Sequence, residues 1–252
     1  MTNIILSGCC GKMGRVIAEE VKLRDDCEIV AGVDVFSDNS SGFPIYSSFD
    51  KIGENADVII DFSNPSALDG LLKYAVSNKV PVVICTTGFS SEQVNVIKKA
   101  SENTAVFYSG NMSLGINLLI ELAKKAEKVL GKAFDVEIIE KHHNRKLDAP
   151  SGTAMMIADG ISQAMEQEPQ YVYDRHSYRK KREKNEIGIH AVRGGTIVGE
   201  HQVIFAGHDE VLTLTHQAQS REVFAVGSIN AAVYLKGKTC GMYDMSDMLR
   251  EE

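Results

Sequence analysis

A short stretch near the middle of the chain, Glu140–Ala154, concentrates side chains that could do chemistry. It contains two adjacent histidines, His142 and His143, with Lys146 four residues after the first of them. The run Pro150–Thr153 reads as the start of a helix, where free backbone N–H groups and a hydroxyl can face an anion. These residue types favour a pocket for a multiply carboxylated substrate, with a histidine or the lysine as proton donor.

Other interpretations of this stretch stay open. Most histidine-rich stretches are charge clusters on a solvated loop. A metal site is disfavoured, because adjacent histidines project in different directions and no further ligand stands at a known spacing. A Schiff-base lysine needs a desolvated, neutral amine, and Arg145 beside Lys146 works against one. In the pocket interpretation, Gly152 lets the ligand approach the backbone closely.

The composition limits what this stretch belongs to. A chain of 252 residues with 44% apolar side chains is long enough for one large or two moderate domains. Its net charge of −7 argues against nucleic acid or an acidic membrane as a partner. No apolar run approaches membrane-spanning length and no secretory segment is recognisable, so a cytoplasmic protein is expected. The five cysteines are odd in number and lack C-x-x-C spacing, which indicates neither a disulfide framework nor a zinc site.

Strands and helices alternate along the first half of the chain. Strands are predicted at residues 3–7, 28–34, 57–62, 81–85 and 105–108, and helices at 13–23, 65–78 and 91–103. Alternation of this kind with short loops predicts a Rossmann-like, doubly wound parallel sheet of the α/β class. Pro65 at the start of one helix, and Ser90 three residues before Gln93 at the start of the next, are the expected capping signals.

The first predicted strand leads directly into a glycine-rich turn that opens a helix. The turn reads G-x-x-G-x-x-G and consists of Gly8, Cys9, Cys10, Gly11, Lys12, Met13 and Gly14. Glycines let backbone N–H groups approach a pyrophosphate, and the helix N-terminus adds a positive partial charge. Asp34 closes the second strand, where a carboxylate should meet the ribose hydroxyls. The combination favours dinucleotide binding over a purely structural turn.

Two later loops leave the carboxyl ends of predicted parallel strands, the edge of an open α/β sheet where ligands bind. They are also expected to bind the cofactor and comprise Cys85, Thr86, Thr87 and Gly88, and Ser109, Gly110, Asn111 and Met112. The alternative for each loop alone is an ordinary polar connection.

The pattern changes in the second half of the chain. Helices are predicted at residues 114–130, 153–165 and 221–235, and strands at 135–140, 187–192, 196–205 and 210–215. The last three strands are separated by glycine-rich turns, which predicts an antiparallel meander. A second α+β domain built on a mostly antiparallel sheet is therefore expected. The basic segment 167–185 is predicted to be a long mobile loop, an arm toward a neighbouring subunit, or a solvated charge run.

The chain resembles the 4-hydroxy-tetrahydrodipicolinate reductase (dihydrodipicolinate reductase) family over essentially its whole length. The most specific match is E-x-H-H-x-x-K-x-D-A-P-S-G-T at residues 140–153. Further matches are the glycine-rich turn, T-T-G at 86–88, S-x-G-x-N at 113–117, V-G-E-H at 198–201 and the ending at 241–249. The resemblance implies a dinucleotide-binding domain formed by residues 1–113 plus 223–252, and a substrate-binding and oligomerisation domain formed by residues 114–222.

The resemblance also implies the reaction and the roles of individual residues. Reduced nicotinamide, NADH or NADPH, gives a hydride to C4 of an unsaturated ring dicarboxylate in lysine and diaminopimelate biosynthesis. His142 falls at the family's proton-donor position and Lys146 at its second catalytic position, whereas His143, Gly152 and Thr153 fall at substrate-carboxylate positions. A homotetramer is expected. The competing hypotheses are a non-catalytic dinucleotide-binding regulator and a reductase of another small dicarboxylate.

Departures from the family pattern concern the cofactor loops. Lys12 stands where the family has an arginine, so a bidentate phosphate contact becomes a point charge. Cys85 replaces a glycine before the T-T-G motif. Cys9 and Cys10 lie at a helix N-terminus, which is expected to favour their thiolate forms.

The residues after Asp34 bear on the choice of nicotinamide. The following run, Val35–Asp38, contains no cation that could pair with a 2′-phosphate, and the nearest downstream basic residue is Lys51. Lys12 on the glycine-rich turn could still reach the phosphate. The sequence therefore predicts that NADH is preferred and that NADPH remains usable.

Overall fold

A computed structural model describes residues 1–36 and 41–251 of the chain. Two compact units are present, Met1–Ser113 together with Glu222–Glu252, and Leu114–Arg221. Ser37 and Asp38, which the sequence analysis weighed in the choice of nicotinamide, lie outside the described residues. None of the helices in the described part of the chain has the length and apolar character needed to span a membrane.

Strands and α-helices are interleaved along the described part of the chain. The strands are β1 (Thr2–Ser7), β2 (Cys27–Val33), β3 (Ile45–Tyr46), β4 (Val58–Asp61), β5 (Val82–Ile84), β6 (Ala105–Tyr108), β7 (Asp135–His142), β8 (Gln170–Val172), β9 (Glu186–Arg193), β10 (Gly199–Ala206), β11 (Val211–Ala218) and β12 (Gly241–Tyr243). The α-helices are α1 (Lys12–Lys22), α2 (Leu68–Asn78), α3 (Ser91–Ala100), α4 (Leu114–Leu130), α5 (Gly152–Ser162), α6 (Glu222–Leu235) and α7 (Met245–Glu251).

The first unit is built on a seven-stranded sheet in the order β12-β6-β5-β4-β1-β2-β3. All of its strand pairings are parallel, which confirms the predicted Rossmann-like architecture. The strands β4 and β5 are buried along their whole length, as expected for strands covered on both faces. Strands β3 and β12 and helix α7 were not predicted from the sequence, because segments this short carry no readable periodicity.

Capping at the helix starts of this unit follows the predicted signals. The Ser90 side chain accepts a hydrogen bond from the Gln93 backbone N–H, and the Gln93 side chain accepts one from the Ser90 backbone, which completes a capping box at α3. Pro65 begins a 3-10 turn, Pro65–Ala67, that precedes α2. The helix predicted over 65–78 is therefore one short turn followed by a regular helix.

The second unit contains a five-stranded sheet in the order β11-β10-β7-β9-β8. Its strands β10 and β11 are antiparallel, as are β10 and β7, whereas β7 and β9 are parallel, as are β9 and β8. The sheet is thus mixed, and the predicted three-strand meander is wrong, because β7 lies between β9 and β10. Turn signals such as Gly194–Gly195 mark where a strand ends but not which strand becomes its neighbour.

The basic segment 167–185 is partly anchored within its own unit. Gln170–Val172 pairs with β9, so the prediction of a structureless loop is wrong for these residues. The guanidinium of Arg182 lies 3.0 Å from a carboxylate oxygen of Glu137 and 3.1 Å from one of Asp135. Its side chain is only 15% exposed, so Arg182 does not belong to a solvated charge run.

Candidate active site

The glycine-rich turn between β1 and α1 requires glycine at two positions. Gly8 has a φ of 78°, and a Cβ there would lie 2.3 Å from the carbonyl oxygen of Phe62. A Cβ at Gly14 would lie 2.2 Å from the carbonyl oxygen of Gly8. Contacts this close exclude any side chain, so these glycines fix the shape of the turn.

The N-terminus of α1 is free of side-chain caps in the described structure. Gly11 is the N-cap residue and is exposed, and no side-chain hydrogen bond caps this end of the helix. A Cβ at Gly11 would lie 3.1 Å from the carbonyl oxygen of Gly8, so glycine keeps the backbone surface open. An uncapped helix start behind a glycine turn suits a phosphate group.

The carboxylate of Asp34 is held against this turn. Its Oδ2 accepts a hydrogen bond from the Cys10 backbone N–H at 2.9 Å, and its Oδ1 accepts one from the Phe36 N–H at 3.1 Å. Asp34 lines a cavity of about 980 Å³ in this unit, together with Gly8, Cys10 and Gly11. The turn and the carboxylate predicted to bind a dinucleotide are therefore brought to one cavity.

A cation that the sequence analysis missed also lines this cavity. Lys73 lies on α2, 39 positions after Asp34 in the chain, and is exposed. No local motif marks it, because α2, which contributes to the cavity lining, is distant in sequence from the glycine-rich turn and from Asp34. Lys12 and Lys51, which the sequence analysis considered as phosphate partners, are not among the described residues that line the cavity.

The expectation of a thiolate at Cys9 is wrong. The side chain of Cys9 is buried, and burial, followed by the neighbouring Cys10 and Asp34, raises the pKa of its thiol to about 12. The thiol packs against β2, since a Cβ at Gly32 would lie 2.7 Å from Cys9 Sγ. Position at a helix N-terminus does not lower a thiol pKa when the sulfur points away from solvent.

The loop after β5 is tied to a buried carboxylate. Thr86 Oγ1 donates to Asp61 Oδ2 at 2.6 Å, and Ser63 Oγ donates to Asp61 Oδ1 at 2.6 Å. Burial raises the pKa of Asp61 above its ordinary value in spite of these hydrogen bonds. Cys85 is also buried, and burial raises the pKa of its thiol well above the ordinary value. These side chains are engaged in the fold, whereas Thr87 and Gly88 are exposed.

The loop after β6 is shaped by its own side chains. Asn111 Oδ1 accepts a hydrogen bond from the Ser113 N–H at 2.8 Å, and Ser109 Oγ donates to the Asn111 carbonyl at 3.0 Å. A Cβ at Gly227 would lie 1.7 Å from the carbonyl oxygen of Met112, so α6 packs directly on this loop. Gly110 is exposed. The large cavity of this unit is lined by described residues that belong to neither this loop nor Cys85–Gly88.

In the second unit, His142 is the last residue of β7 and is hydrogen-bonded to a buried carboxylate. Its Nδ1 lies 2.6 Å from Oε2 of Glu140, which is completely buried. The strand was predicted to end at Glu140, so the structure places His142 on regular sheet rather than on a loop. A side chain at the end of a strand is held more precisely than one on a loop.

Arg193 is the cation that pairs with the buried carboxylate of Glu140. Parallel pairing of β7 with β9 places Arg193 beside His142. The guanidinium donates to both carboxylate oxygens of Glu140 at 2.7 Å, and the Ser151 N–H donates to Oε1 at 3.0 Å. Burial alone would raise the pKa of Glu140, but the hydrogen bonds from Arg193 and His142 outweigh it and lower the pKa. Glu140 is therefore an ionised anchor for the histidine.

His201 is the second neighbour of His142. The two rings are 5.2 Å apart in an edge-to-face arrangement, and His201 Nε2 lies 3.0 Å from Ser151 Oγ. Burial, with a further contribution from His142, lowers the pKa of His201 to about 4. Ser151 also caps α5, since its Oγ accepts a hydrogen bond from the Ala154 N–H. No role was predicted from the sequence for four of these residues, although the first three stand in the family motifs: Glu140, Ser151, His201 and Arg193.

The remaining predicted site residues surround the start of α5 and the loop before it. Lys146 Nζ lies 2.9 Å from Asp148 Oδ1, and its side chain is 22% exposed. His143 Nδ1 is buried without a hydrogen-bond partner in the described structure, and burial lowers the pKa of His143. Gly152 is exposed, and a Cβ there would meet no described atom within 4 Å. Thr153 is half-buried in the first turn of the helix.

Together these features place the chain first in a class and then in a family. A parallel sheet with a glycine turn at a helix N-terminus and a carboxylate after the second strand defines the Rossmann-like nucleotide-binding proteins. The chain belongs to the dihydrodipicolinate reductase family, whose N-terminal model matches residues 2–112 and whose C-terminal model matches residues 115–249. The family comprises NAD(P)H-dependent reductases.

Individual relatives are similar in sequence to this chain over its full length. The chain is 53% identical to the 4-hydroxy-tetrahydrodipicolinate reductase of Caldanaerobacter subterraneus subsp. tengcongensis, with 100% of this chain and 99% of the relative covered. It is 50% identical to that of Clostridium novyi, with 100% of both covered. Among solved structures, a dipicolinate-bound dihydrodipicolinate reductase from Paenisporosarcina sp. TG-14 matches with a TM-score of 0.78 and 27% identity over 97% of each chain.

Proposed function

We propose that the protein reduces 4-hydroxy-tetrahydrodipicolinate to tetrahydrodipicolinate with NAD(P)H, in lysine and diaminopimelate biosynthesis. The observation that carries the proposal is the buried Glu140–Arg193 pair, which fixes His142 beside the N-terminus of α5. The names of the relatives at about 50% identity support the same reaction. The 4-hydroxyl group of the substrate leaves as water. When bound, the reduced nicotinamide would supply the hydride, and the residues of the chain bind the substrate and supply the proton.

His142 is the proton donor in this proposal. An ionised carboxylate only accepts hydrogen bonds, so Glu140 fixes Nδ1 of His142 as the donor in their contact. In the imidazolium form of His142, Nε2 on the other side of the ring then carries the reactive proton. A general acid must be held in place before its proton is transferred, and Arg193 and Ser151 hold Glu140 for this purpose.

The start of α5 is the proposed site for the substrate carboxylates. The helix N-terminus offers backbone N–H groups, and Gly152 leaves the space in front of them open. Thr153 lies on the same turn. Lys146 and His143 on the preceding loop add cationic and neutral donors, and Lys146 can stabilise charge that develops on the ring nitrogen or carboxylates.

NADH is the proposed preferred cofactor, with NADPH also accepted. Asp34 lies in the cavity with its carboxylate already positioned by two backbone N–H groups, ready to accept from ribose hydroxyls. A 2′-phosphate beside this carboxylate would be repelled. Lys73, which lines the same cavity, is a cation that can offset part of the repulsion, so we expect the preference to be moderate.

The assembly and location are also proposals. We propose a homotetramer formed through the sheet of the second unit, because its edge strand β11 exposes Val211 and Leu212. Such an edge is normally covered by another chain or protected. We further propose that the protein works in the cytoplasm, since all five cysteines are free thiols, which fits a reducing compartment.

The test is a comparison of variants at the two proposed catalytic positions. We expect His142→Gln and Lys146→Gln each to lower kcat by roughly 10²-fold or more, the usual contribution of a positioned proton donor. Thr153→Val should instead raise KM more than it lowers kcat. His208→Gln is the matched control, because this histidine is 95% exposed in the same unit. A near-native kcat in His142→Gln would show that His142 is not the proton donor.

The competing functions can be distinguished by the substrate that the protein turns over. NADH consumption, followed by the nicotinamide absorbance, should require freshly made dihydrodipicolinate precursor and should be absent with aspartate semialdehyde alone. A regulator would bind NADH without consuming it in either assay. Turnover of another small dicarboxylate at a higher kcat/KM would identify a different reductase.

A further inference from the structure

Two thiols and a carboxylate converge at the glycine-rich turn. The Sγ atoms of Cys9 and Cys10 and a carboxylate oxygen of Asp34 all lie within 4.8 Å of one another. Adjacent side chains usually diverge, but the tight turn that begins at Gly8 brings these two sulfurs to the same side. The catalytic proposal uses the backbone of this turn and the Asp34 carboxylate, and it leaves both thiols without a role.

The three ligand atoms are held by the fold. Cys10 N–H donates to Asp34 Oδ2 at 2.9 Å, which ties the carboxylate to the turn. Cys9 Sγ packs against β2, where Gly32 leaves just enough room for the sulfur. Cys10 is half-buried and, like Asp34, lines the large cavity, whereas the buried Cys9 does not, so an ion would enter through Cys10 and Asp34.

The donor set and the spacing fit one kind of ion. Thiolate and carboxylate ligands suit zinc and its thiophilic relative cadmium. With metal–sulfur bonds of about 2.3 Å and metal–oxygen bonds of about 2.0–2.2 Å, a tetrahedral ion holds its ligand atoms about 3.5–3.8 Å apart. Starting from separations of up to 4.8 Å, the cluster would therefore have to contract by about 1.0–1.3 Å at most, and water would take the fourth position.

We propose that Cys9, Cys10 and Asp34 bind one thiophilic divalent metal ion, and that this ion and the dinucleotide exclude each other. The proposed metal site depends only on the geometry of the cluster. The mutual exclusion of metal ion and dinucleotide also rests on the proposed function. Two thiolates and one carboxylate leave a net charge of −1 around a divalent ion. The N-terminus of α1 tolerates this charge, but a pyrophosphate at the same turn is repelled by it. Asp34 is also no longer available to the ribose.

Binding must displace the thiol protons. Cysteine binds metal ions as the thiolate, so the protons of both thiols are displaced when the ion arrives. Two cations of α1 lie near the turn: Lys12, the first residue of the helix, and Arg15, whose Nε donates to the Cys10 carbonyl at 3.2 Å. Metal binding therefore releases protons to the solvent and strengthens as the pH rises.

The experiment is a cadmium titration of the full chain, kept reduced with a phosphine. The ultraviolet charge-transfer absorbance of cadmium thiolate should saturate at one ion per chain. The apparent Kd for NADH, followed by its fluorescence, should rise in proportion to cadmium and return on adding a chelator. Cys10→Ser should weaken cadmium binding by roughly 100-fold or more, beyond the 10–100-fold typical of residues that only support a ligand. Cys240→Ser, which removes an exposed cysteine outside the cluster, should change nothing.

A second measurement avoids variants altogether. In the unaltered protein, cadmium should protect the peptide that contains Cys9 and Cys10 from alkylation and leave Cys240 reactive. Loss of the absorbance in Cys240→Ser but not in Cys10→Ser, or equal alkylation with and without cadmium, would overturn the metal site. Saturation of the absorbance without any change in NADH affinity would overturn the exclusion. Failure of the metal-free protein to bind NADH would count against the proposed function instead.

Discussion

The backbone of Gly199 lies directly against the imidazole of His142. A Cβ at this glycine would be 3.1 Å from Nε2 and 3.5 Å from Cδ2 of the ring. The ring cannot turn away, because its Nδ1 is bonded to Glu140 at 2.6 Å. Gly199 therefore leaves open the approach to the nitrogen that carries the reactive proton.

The first prediction concerns this clearance. We expect Gly199→Ala to lower kcat by roughly tenfold, equivalent to about 1.4 kcal/mol in the barrier, because the methyl group crowds Nε2 or displaces the ring. The affinity for NADH should be unchanged. Gly194→Ala is the matched control, since a Cβ there meets no described atom within 4 Å. Equal kcat values for the two variants would show that Nε2 needs no such clearance.

The second prediction concerns the carboxylate behind His142. In Glu140→Gln the amide presents N–H groups to Arg193 or His142, both of which are donors, and leaves the guanidinium without its counter-charge. Breaking a buried ion pair from one side costs about 3–5 kcal/mol. We expect a loss of stability of this order in urea unfolding. We also expect kcat to fall by roughly 10²-fold, since Nδ1 loses its acceptor.

The control for this variant lies on the same strand. Glu137 on β7 pairs with Arg182 at 3.0 Å and with His190 at 2.8 Å. Glu137→Gln should destabilise the protein while kcat stays close to that of the unaltered enzyme. If Glu140→Gln and Glu137→Gln reduced stability and left kcat equally unaffected, Glu140 would be a structural residue only.

The third prediction follows from the buried His201. Its pKa is lowered to about 4 in the folded protein, against 6.5 as the ordinary value for the unfolded chain. Between these values the unfolded chain binds more protons than the folded one, so stability rises with pH from about 4 to 6.5 and is lost on acidification. The full shift corresponds to roughly 3 kcal/mol.

Urea unfolding at a series of pH values tests this linkage. We expect His201→Gln to have a flatter dependence of the unfolding free energy on pH between 4 and 6.5 than the unaltered protein. His208→Gln, at an exposed position, should keep the original slope. Parallel curves for His201→Gln and the unaltered protein would show that another group, such as His143 or His216, whose pKa values are also lowered, dominates this range.

The sequence predicted well what local patterns encode. The glycine turn and Asp34 were predicted to bind different parts of one dinucleotide, and the structure joins them through the Cys10–Asp34 hydrogen bond. Arg193 and Lys73 could not be predicted, because each reaches its site through pairing or packing between segments distant in the chain. The burial of Cys9 was missed for the same reason, since it depends on the absence of a side chain at Gly32.

The last prediction concerns the choice between NADH and NADPH. Val35 follows Asp34, is 84% exposed and lines the cavity, so an arginine there can reach a 2′-phosphate. One charge-assisted contact contributes about 1.5–3 kcal/mol, or roughly ten- to hundredfold in kcat/KM. We expect Val35→Arg to shift the ratio of kcat/KM toward NADPH by about this factor. Leu23→Arg adds the same charge at an exposed position outside the cavity lining and should leave the ratio unchanged. A clear preference of the unaltered enzyme for NADPH would mean that a cation such as Lys73 outweighs Asp34, and Lys73→Ala should then restore the preference for NADH.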